Sequence, residues 1–234
     1  MRGHSPRLRP LDRGTPAVPG SARSVFPLRR AFLAMGLATP TPAVGENEDV
    51  KLLVAAHASE LTAFEAEIPG FDRLLTGVGK IPAAYALTRA LCEGDYDEIV
   101  VVGTAGEIDD DVEGGIYDIA AAIQHDVKGL DGTFGEHVSL PSRVETGSEG
   151  VVIATGDHFV DDAEAVRLIR GLGARLVDME SYALIWVARQ FGVPIRILRA
   201  VSDRAQDGAT ELWDDVVERC SHELRAEIRA RYGV

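Results

Sequence analysis

The sequence predicts a single α/β domain, a central sheet flanked by helices, and three observations carry that expectation. The chain has 234 residues, enough for one such domain with a sizeable core and too few for two full ones. From Val50 onward it alternates short, mostly continuous apolar runs with stretches of helical period, as strands covered by helices on both faces require. Its chemically interesting polar residues gather just after those runs, where α/β sheets collect their ligands.

The first 45 residues stand apart. They hold seven arginines and one acid, Asp12, a charge of +6 that leaves −19 on the remainder of a chain whose formal total is −13. Rich in Pro, Gly, Ser and Arg, and without a sustained apolar period, residues 1–48 cannot bury enough surface to offset their ordering entropy, so a disordered leader is expected. Arg29-Arg30 resembles a twin-arginine export signal, but the apolar stretch behind it, Ala31 to Ala38, is short and breaks at Thr39-Pro40. Two origins stay open: a dispensable leader, or an upstream extension of the reading frame with Met35 as a later start. The folded domain is expected over residues 49–234.

Within it, Lys51–Ala56, Glu98–Gly103, Val151–Ala154, Arg175–Asp178 and Pro194–Ala200 read as core strands, and Ile116–Ile123 as a further strand ending at Gln124-His125-Asp126. Between them, Ile81, Ala84, Tyr85, Thr88 and Leu91 fall on one helical stripe. Tyr182, Ile185, Trp186 and Arg189 share a second helix that stops at Gly192, with Pro194 beyond it. Trp213, Val216, Val217, Cys220, Leu224 and Ile228 give a last amphipathic helix that should pack against the sheet.

Acidic residues number 37 against 24 basic, which excludes a broad electrostatic footprint for nucleic acid or anionic lipid. No segment approaches the length needed to span a bilayer. Cys92 and Cys220 lie far apart and make neither a disulfide framework nor a metal cluster, and His57, His125 and His158 lack metal-ligand spacing. A cytoplasmic protein without metal or cofactor is expected.

Polar residues at the strand ends define one rim. His57 and Glu60 follow the first strand, Gly103-Thr-Ala-Gly106 the second, Thr155-Gly-Asp-His-Phe-Val160 the third, Asp178-Met-Glu180 the fourth and Ser202-Asp203 the fifth. Four of its acids, Glu60, Asp178, Glu180 and Asp203, with one aromatic and two Gly-bearing turns, fit a polyhydroxylated substrate with an aromatic portion, which is the shape of a nucleoside. Taken singly, each residue has a plainer explanation: Glu60 as a helix-start acid beside a Ser59 cap, Asp203 as a turn cap, Phe159 and Met179 as core.

Gly77-Val-Gly-Lys-Ile-Pro-Ala-Ala84, Gly103-Thr-Ala-Gly106, Ala154-Thr-Gly-Asp-His-Phe-Val160, Val177-Asp-Met-Glu180 and Arg199-Ala-Val-Ser-Asp203 resemble, in order and character, the nucleoside phosphorylase and nucleosidase family, most closely its methylthioadenosine/S-adenosylhomocysteine nucleosidases. The likeness covers Val50 to Val234. It implies a mixed, partly barrel-like central sheet, a small-molecule nucleoside as partner, a homodimer whose neighbour closes the pocket through Gln124 to Leu140, and a place in purine and methionine salvage.

The resemblance also implies roles. Cleaving an N-glycosidic bond passes through an oxocarbenium-like sugar, so the base must leave near-neutral while a nucleophile approaches the opposite face. Asp203 matches the family's general acid toward purine N7, and Glu60 the carboxylate that positions and deprotonates the attacking water. Glu180 looks like the acceptor for the ribose 2′- and 3′-hydroxyls, Met179 the apolar wall beneath the sugar, and Arg199 a hydrogen-bonding partner of that cluster. Phe159 would stack on the base, Val160 would offer backbone groups to its edge, Thr104 falls near the water or anion pocket, and Ser202 beside the acid joins the substrate contacts.

Hydrolysis is favoured over phosphorolysis because a phosphate dianion needs a cationic clamp. Neither Ile99–Val102 nor His57–Glu67 holds a basic residue, leaving Lys80 and Arg199 as the remaining anion partners. The alternatives are a phosphate-dependent phosphorylase and a non-catalytic nucleoside-binding module of the same fold. His125-Asp126 and His158 read as structural or pocket-lining. The sequence departs from the family in three places: only 16 residues separate Glu60 from Gly77, 48 separate Gly106 from Thr155, and bulky Tyr182 follows Ser181. The nucleoside is then methylthioadenosine, another adenine nucleoside or a futalosine-like one.

Overall fold

A computed structural model describes residues 49–109, 111–112, 114–204 and 213–234, the side chains of residues 203, 204 and 213 excepted. The expected leader over residues 1–48 lies outside the described residues. In chain order the elements are β1 (Lys51–Ala55), a single 3₁₀ turn (Ala58–Leu61), β2 (Phe71–Leu75), α1 (Lys80–Glu93), β3 (Glu98–Glu107), β4 (Ile116–Gln124), β5 (Arg143–Glu145), β6 (Val151–Thr155), α2 (Ala163–Gly171), β7 (Leu176–Asp178), α3 (Ser181–Phe191), β8 (Ile195–Arg204) and α4 (Trp213–Tyr232).

The strands make one mixed sheet in the order β2-β1-β3-β7-β6-β4-β5. Strand β8 pairs with β3 in parallel and with β4 antiparallel, so β3, β7, β6, β4 and β8 close into a five-stranded ring. The expected mixed, partly barrel-like α/β architecture is the one observed.

Why the central runs are continuously apolar follows from what covers each face. Leu52, Val54, Ile99, Val101 and Ile197 point into a cluster with Leu87 of α1 and Leu184 of α3. Their neighbours Leu53, Ala55, Val100, Val102 and Leu198 point the other way, onto Val216, Leu224 and Ile228 of α4. With a period of two and both faces covered, both alternating sets of these residues are apolar, which makes the runs continuous. A third cluster seats Val166 and Ile169 of α2 against Ala154 and Val177.

The structure corrects several sequence-based expectations. The core-facing stripe of α1 is Ala83, Leu87 and Leu91; Ile81 and Tyr85, assigned to it from periodicity, are 79% and 65% exposed. The helix carries apolar side chains on two faces, and the face with Ala83, Leu87 and Leu91 joins the cluster that holds Leu184 of α3. Gly103-Thr-Ala-Gly106 and Ser202-Asp203 are not turns beyond strands but the last parts of β3 and β8, which continue pairing through a bulge between Ala105 and Gly106. A bulge bends and twists a strand, letting both turn round the ring and carry their polar ends to its mouth. Strands β2 and β5 and helix α2 were not anticipated. The short link from Glu60 to Gly77 holds no hairpin: after an isolated bridge between Ile68 and Phe71, β2 pairs directly with β1 in parallel.

Candidate active site

A cavity of about 470 Å³ opens where β1, β3, β6, β7 and β8 end, within the size range of small-molecule sites. Glu60, Thr104, Phe159, Val160, Met179, Glu180 and Ser202 all line it. Arg199 does not. The backbone of Asp203 pairs with Gly106, another lining residue, and the side chain proposed as the general acid lies outside the described residues.

Glu60 is built into its wall by local structure. It is the third residue of a capping box: His57 caps the 3₁₀ turn, and the Glu60 side chain reaches back to the backbone. Its Oε2 accepts the N–H groups of Ala56 at 2.9 Å and His57 at 3.1 Å, while Oε1 accepts that of Thr104 at 2.9 Å. The helix-start role and a place in the cavity thus coincide, with His57 rather than Ser59 as the cap. Only 7% of Glu60 is exposed, and its orientation is fixed by main-chain donors from the segment just past β1 and from β3.

Beneath the cavity lies a carboxylate cluster organised by one buried guanidinium. Arg199 Nη2 donates to Asp178 Oδ2 at 2.5 Å and to Ser181 Oγ at 3.1 Å, and lies 3.7 Å from Glu180 Oε2. Asp178 is further tied by Thr155 Oγ1 at 2.7 Å and the Ser181 N–H at 3.0 Å. Burial opposes the charge on Arg199, but Asp178, Glu180 and Glu60 together hold its pKa above the ordinary value. Gly103 makes this possible: a Cβ there would lie 2.7 Å from Glu60 Oε1 and closer still to Arg199 Nη1.

Glu180 faces the cavity and accepts the Gly79 N–H at 2.8 Å through Oε1. Burial, then the Asp178 carboxylate, push its pKa up to about 7, against the opposing pull of Arg199 and the Gly79 N–H. Next along the chain, Lys80 Nζ donates to Asp126 Oδ1 at 2.6 Å and Gln124 Oε1 at 3.0 Å, while its N–H donates to Asp157 Oδ1 at 2.7 Å. The Asp157 N–H in turn donates to Asp126 Oδ2 at 2.8 Å. This bracket joins the start of α1 to the loop that carries Phe159 and Val160. Phe159 is 60% exposed at the cavity edge, not core.

Sequence reasoning missed this bracket, the depth of Arg199 and the requirement at Gly103. His125 and His158, expected as structural or pocket-lining, both line the cavity. Bulky Tyr182 is accommodated: it is buried, and its hydroxyl donates to the Pro141 carbonyl.

The ring-closed mixed sheet thus gathers carboxylates, an aromatic and a methionine round one mouth. The sequence matches the Phosphorylase superfamily over residues 136–230. It is 30% identical over 171 residues to a 5′-methylthioadenosine/S-adenosylhomocysteine nucleosidase of Bacillus licheniformis, covering 63% of this chain and 74% of that one. The corresponding Bacillus subtilis nucleosidase is 28% identical over 197 residues, covering 74% and 85%. Among solved structures, a Helicobacter pylori nucleosidase holding 5′-methylthioadenosine in its active site superposes with a TM-score of 0.68 at 21% identity, over 78% of this chain and 99% of that one. A Helicobacter pylori futalosine hydrolase gives 0.68 at 22% identity, over 78% and 98%. The chain belongs to the nucleoside phosphorylase and nucleosidase family, close to the methylthioadenosine/S-adenosylhomocysteine nucleosidases.

Proposed function

We propose that the protein hydrolyses the N-glycosidic bond of an adenine-type purine nucleoside of the methylthioadenosine and S-adenosylhomocysteine class, releasing free base. The observation that carries this reading is Glu60, fixed on three backbone amides in the cavity wall beside Thr104. A carboxylate so held can orient a water and take its proton as the oxygen bonds to C1′. The C1′–N9 bond breaks as this bond forms, and Asp203 supplies the proton that N7 of the departing purine needs. Glu180 accepts the ribose hydroxyls, Met179 lies beneath the sugar, Phe159 stacks on the base and Val160 meets its edge. Arg199 acts from below, balancing the charge of Asp178, Glu180 and Glu60.

Water is favoured over phosphate because Lys80 and Arg199, the anion partners named from the sequence, are engaged: Lys80 with Asp126 and Gln124, Arg199 with Asp178 and Ser181. The homodimer belongs to the same reading. Leu75, Val78, Ile81 and Tyr85, from the end of β2 to the second turn of α1, are all at least 50% exposed, and Val78 also lines the cavity. A second copy seated there would cover this patch and close the mouth. Among the described residues no helix is long and apolar enough to cross a membrane, and we assign the protein to the cytoplasm.

The test is to incubate the purified protein with methylthioadenosine, S-adenosylhomocysteine and inosine, with and without phosphate, and follow free base. Release without phosphate is expected. Strict phosphate dependence would overturn hydrolysis, and release from no nucleoside would leave a binding module.

A further inference from the structure

One group in the cavity wall is unused by this mechanism. His125 follows β4, with its N–H donating to the Thr155 carbonyl at 3.1 Å, and its side chain lines the cavity although only 2% of the residue is exposed. Among the described residues neither ring nitrogen has a hydrogen-bond partner. Buried polar groups left so are rare and ask for an explanation. The ring is not loosely placed. It lies against Gly156, where a Cβ would fall 2.9 Å from Nδ1 and nearer still to Cε1 and Nε2. It also meets His158 edge-on, with centroids 4.9 Å apart and planes at 81°, and His158 lines the same cavity.

The charged and titratable groups facing His125 are His158, Asp126, Asp178 and Lys80. Burial, then His158, hold its pKa below the ordinary value, so at pH 7 the ring is neutral and offers one N–H donor and one bare nitrogen. An anion would meet Asp126, Asp178 and Glu180. A group that can both give and accept a hydrogen bond meets no such opposition.

We infer that His125, seated on Gly156 and flanked by His158, is a specificity subsite of this cavity that takes one neutral hydrogen-bonding group of the nucleoside, a hydroxyl or an oxo-amide edge. The inference rests on the nucleosidase reading and extends it beyond methylthioadenosine, which carries neither a 5′-hydroxyl nor a 6-oxo edge. The group has two sources, the sugar 5′-hydroxyl and the 6-oxo edge of the base, and the experiment separates them. Base release is measured as kcat/KM for adenosine against 5′-deoxyadenosine, and for inosine against adenosine, in the parent protein and in His125→Phe and His125→Asn. In one of the two pairs the parent prefers the nucleoside bearing the group by about tenfold or more, as sites built to pair a polar group do. His125→Phe brings that ratio to within about twofold, chiefly through KM, and His125→Asn, which keeps a donor and an acceptor, restores part of it. A ratio that His125→Phe leaves unchanged in both pairs overturns the subsite. Should that variant not fold, the parent protein decides. Labelled with ¹⁵N-histidine, it is titrated with an uncleavable C-nucleoside carrying a 5′-hydroxyl and a 6-oxo edge, and the ring nitrogens of His125 shift. If they stay put, the inference fails. Base release from none of the three nucleosides contradicts hydrolysis, and a His125 shift with the C-nucleoside would still support the subsite.

Discussion

Replacing Gly103 with alanine strikes the point where the cavity wall and the charge cluster meet. The new Cβ would lie 2.7 Å from Glu60 Oε1, where ordinary contact begins at 3.4 Å, and closer still to Arg199 Nη1. Glu60 must therefore give by about 0.7 Å and Arg199 by more. Neither can do so freely: three main-chain amides hold Glu60, and Arg199 is 1% exposed and locked on Asp178. Overpacking of this kind costs about 1–3 kcal/mol, and breaking a buried ion pair about 3–5 kcal/mol. With the pair strained rather than lost, about 3 kcal/mol is expected, which lowers Tm by about 6–12 °C in a domain of this size. Displacing a catalytic group by most of an ångström costs roughly 10²-fold in rate. Urea unfolding and base release read the two effects. Gly171→Ala is the control, since nothing lies within 4 Å of a Cβ there; in helix α2 it should be neutral or stabilising by up to about 1 kcal/mol. A Gly103→Ala protein as stable and as active as its parent would refute the packing argument.

Further expectations follow from the same geometry. Glu60→Gln should lower kcat by roughly 10²–10⁴-fold, the range for a general base, with nucleoside affinity by calorimetry little changed; a parent-like kcat would remove Glu60 from that role. Glu180 is raised to about 7, and in the proposed role it would accept the sugar hydroxyls best when ionised, so KM should fall as pH rises from 6 to 8, and Glu180→Gln should flatten the profile. The sign for stability is opposite: the folded protein binds this proton more tightly than the unfolded chain, so the Glu180 contribution weakens as pH climbs from about 4.5 to about 7. Glu180→Gln should abolish that part of the slope in urea titrations. Ile81→Glu on the exposed face of α1 should shift a homodimer to monomer by light scattering while leaving circular dichroism unchanged; an unaltered mass would place the interface elsewhere.

What the sequence made legible follows its physics. The cores of β1, β3, β6 and β8 were readable because both faces are covered, leaving a continuous apolar run such as Leu52-Leu-Val-Ala55. Strand β2, Phe71-Asp-Arg-Leu-Leu75, lies at one end of the sheet order and is half-exposed, and β5 is three residues long, so neither writes that signal. The Asp162 cap ahead of Val166 and Ile169 could have revealed α2. The core face of α1 was not legible because Ile81 and Tyr85 are apolar yet exposed, so periodicity points to two faces at once. In the site, strand-end acids were findable from topology alone. The depth of Arg199 was not, because a guanidinium reads as exposed until three carboxylates are folded around it, and neither was the need for Gly103, a matter of contact between β3 and residues far away in the chain.

The central claim is that the nucleophile at C1′ is a water held by Glu60. Running the reaction in H₂¹⁸O with phosphate present and weighing the sugar product tests it most directly. The account predicts a free pentose carrying one ¹⁸O at C1; a pentose 1-phosphate, or a sugar free of label, would contradict it.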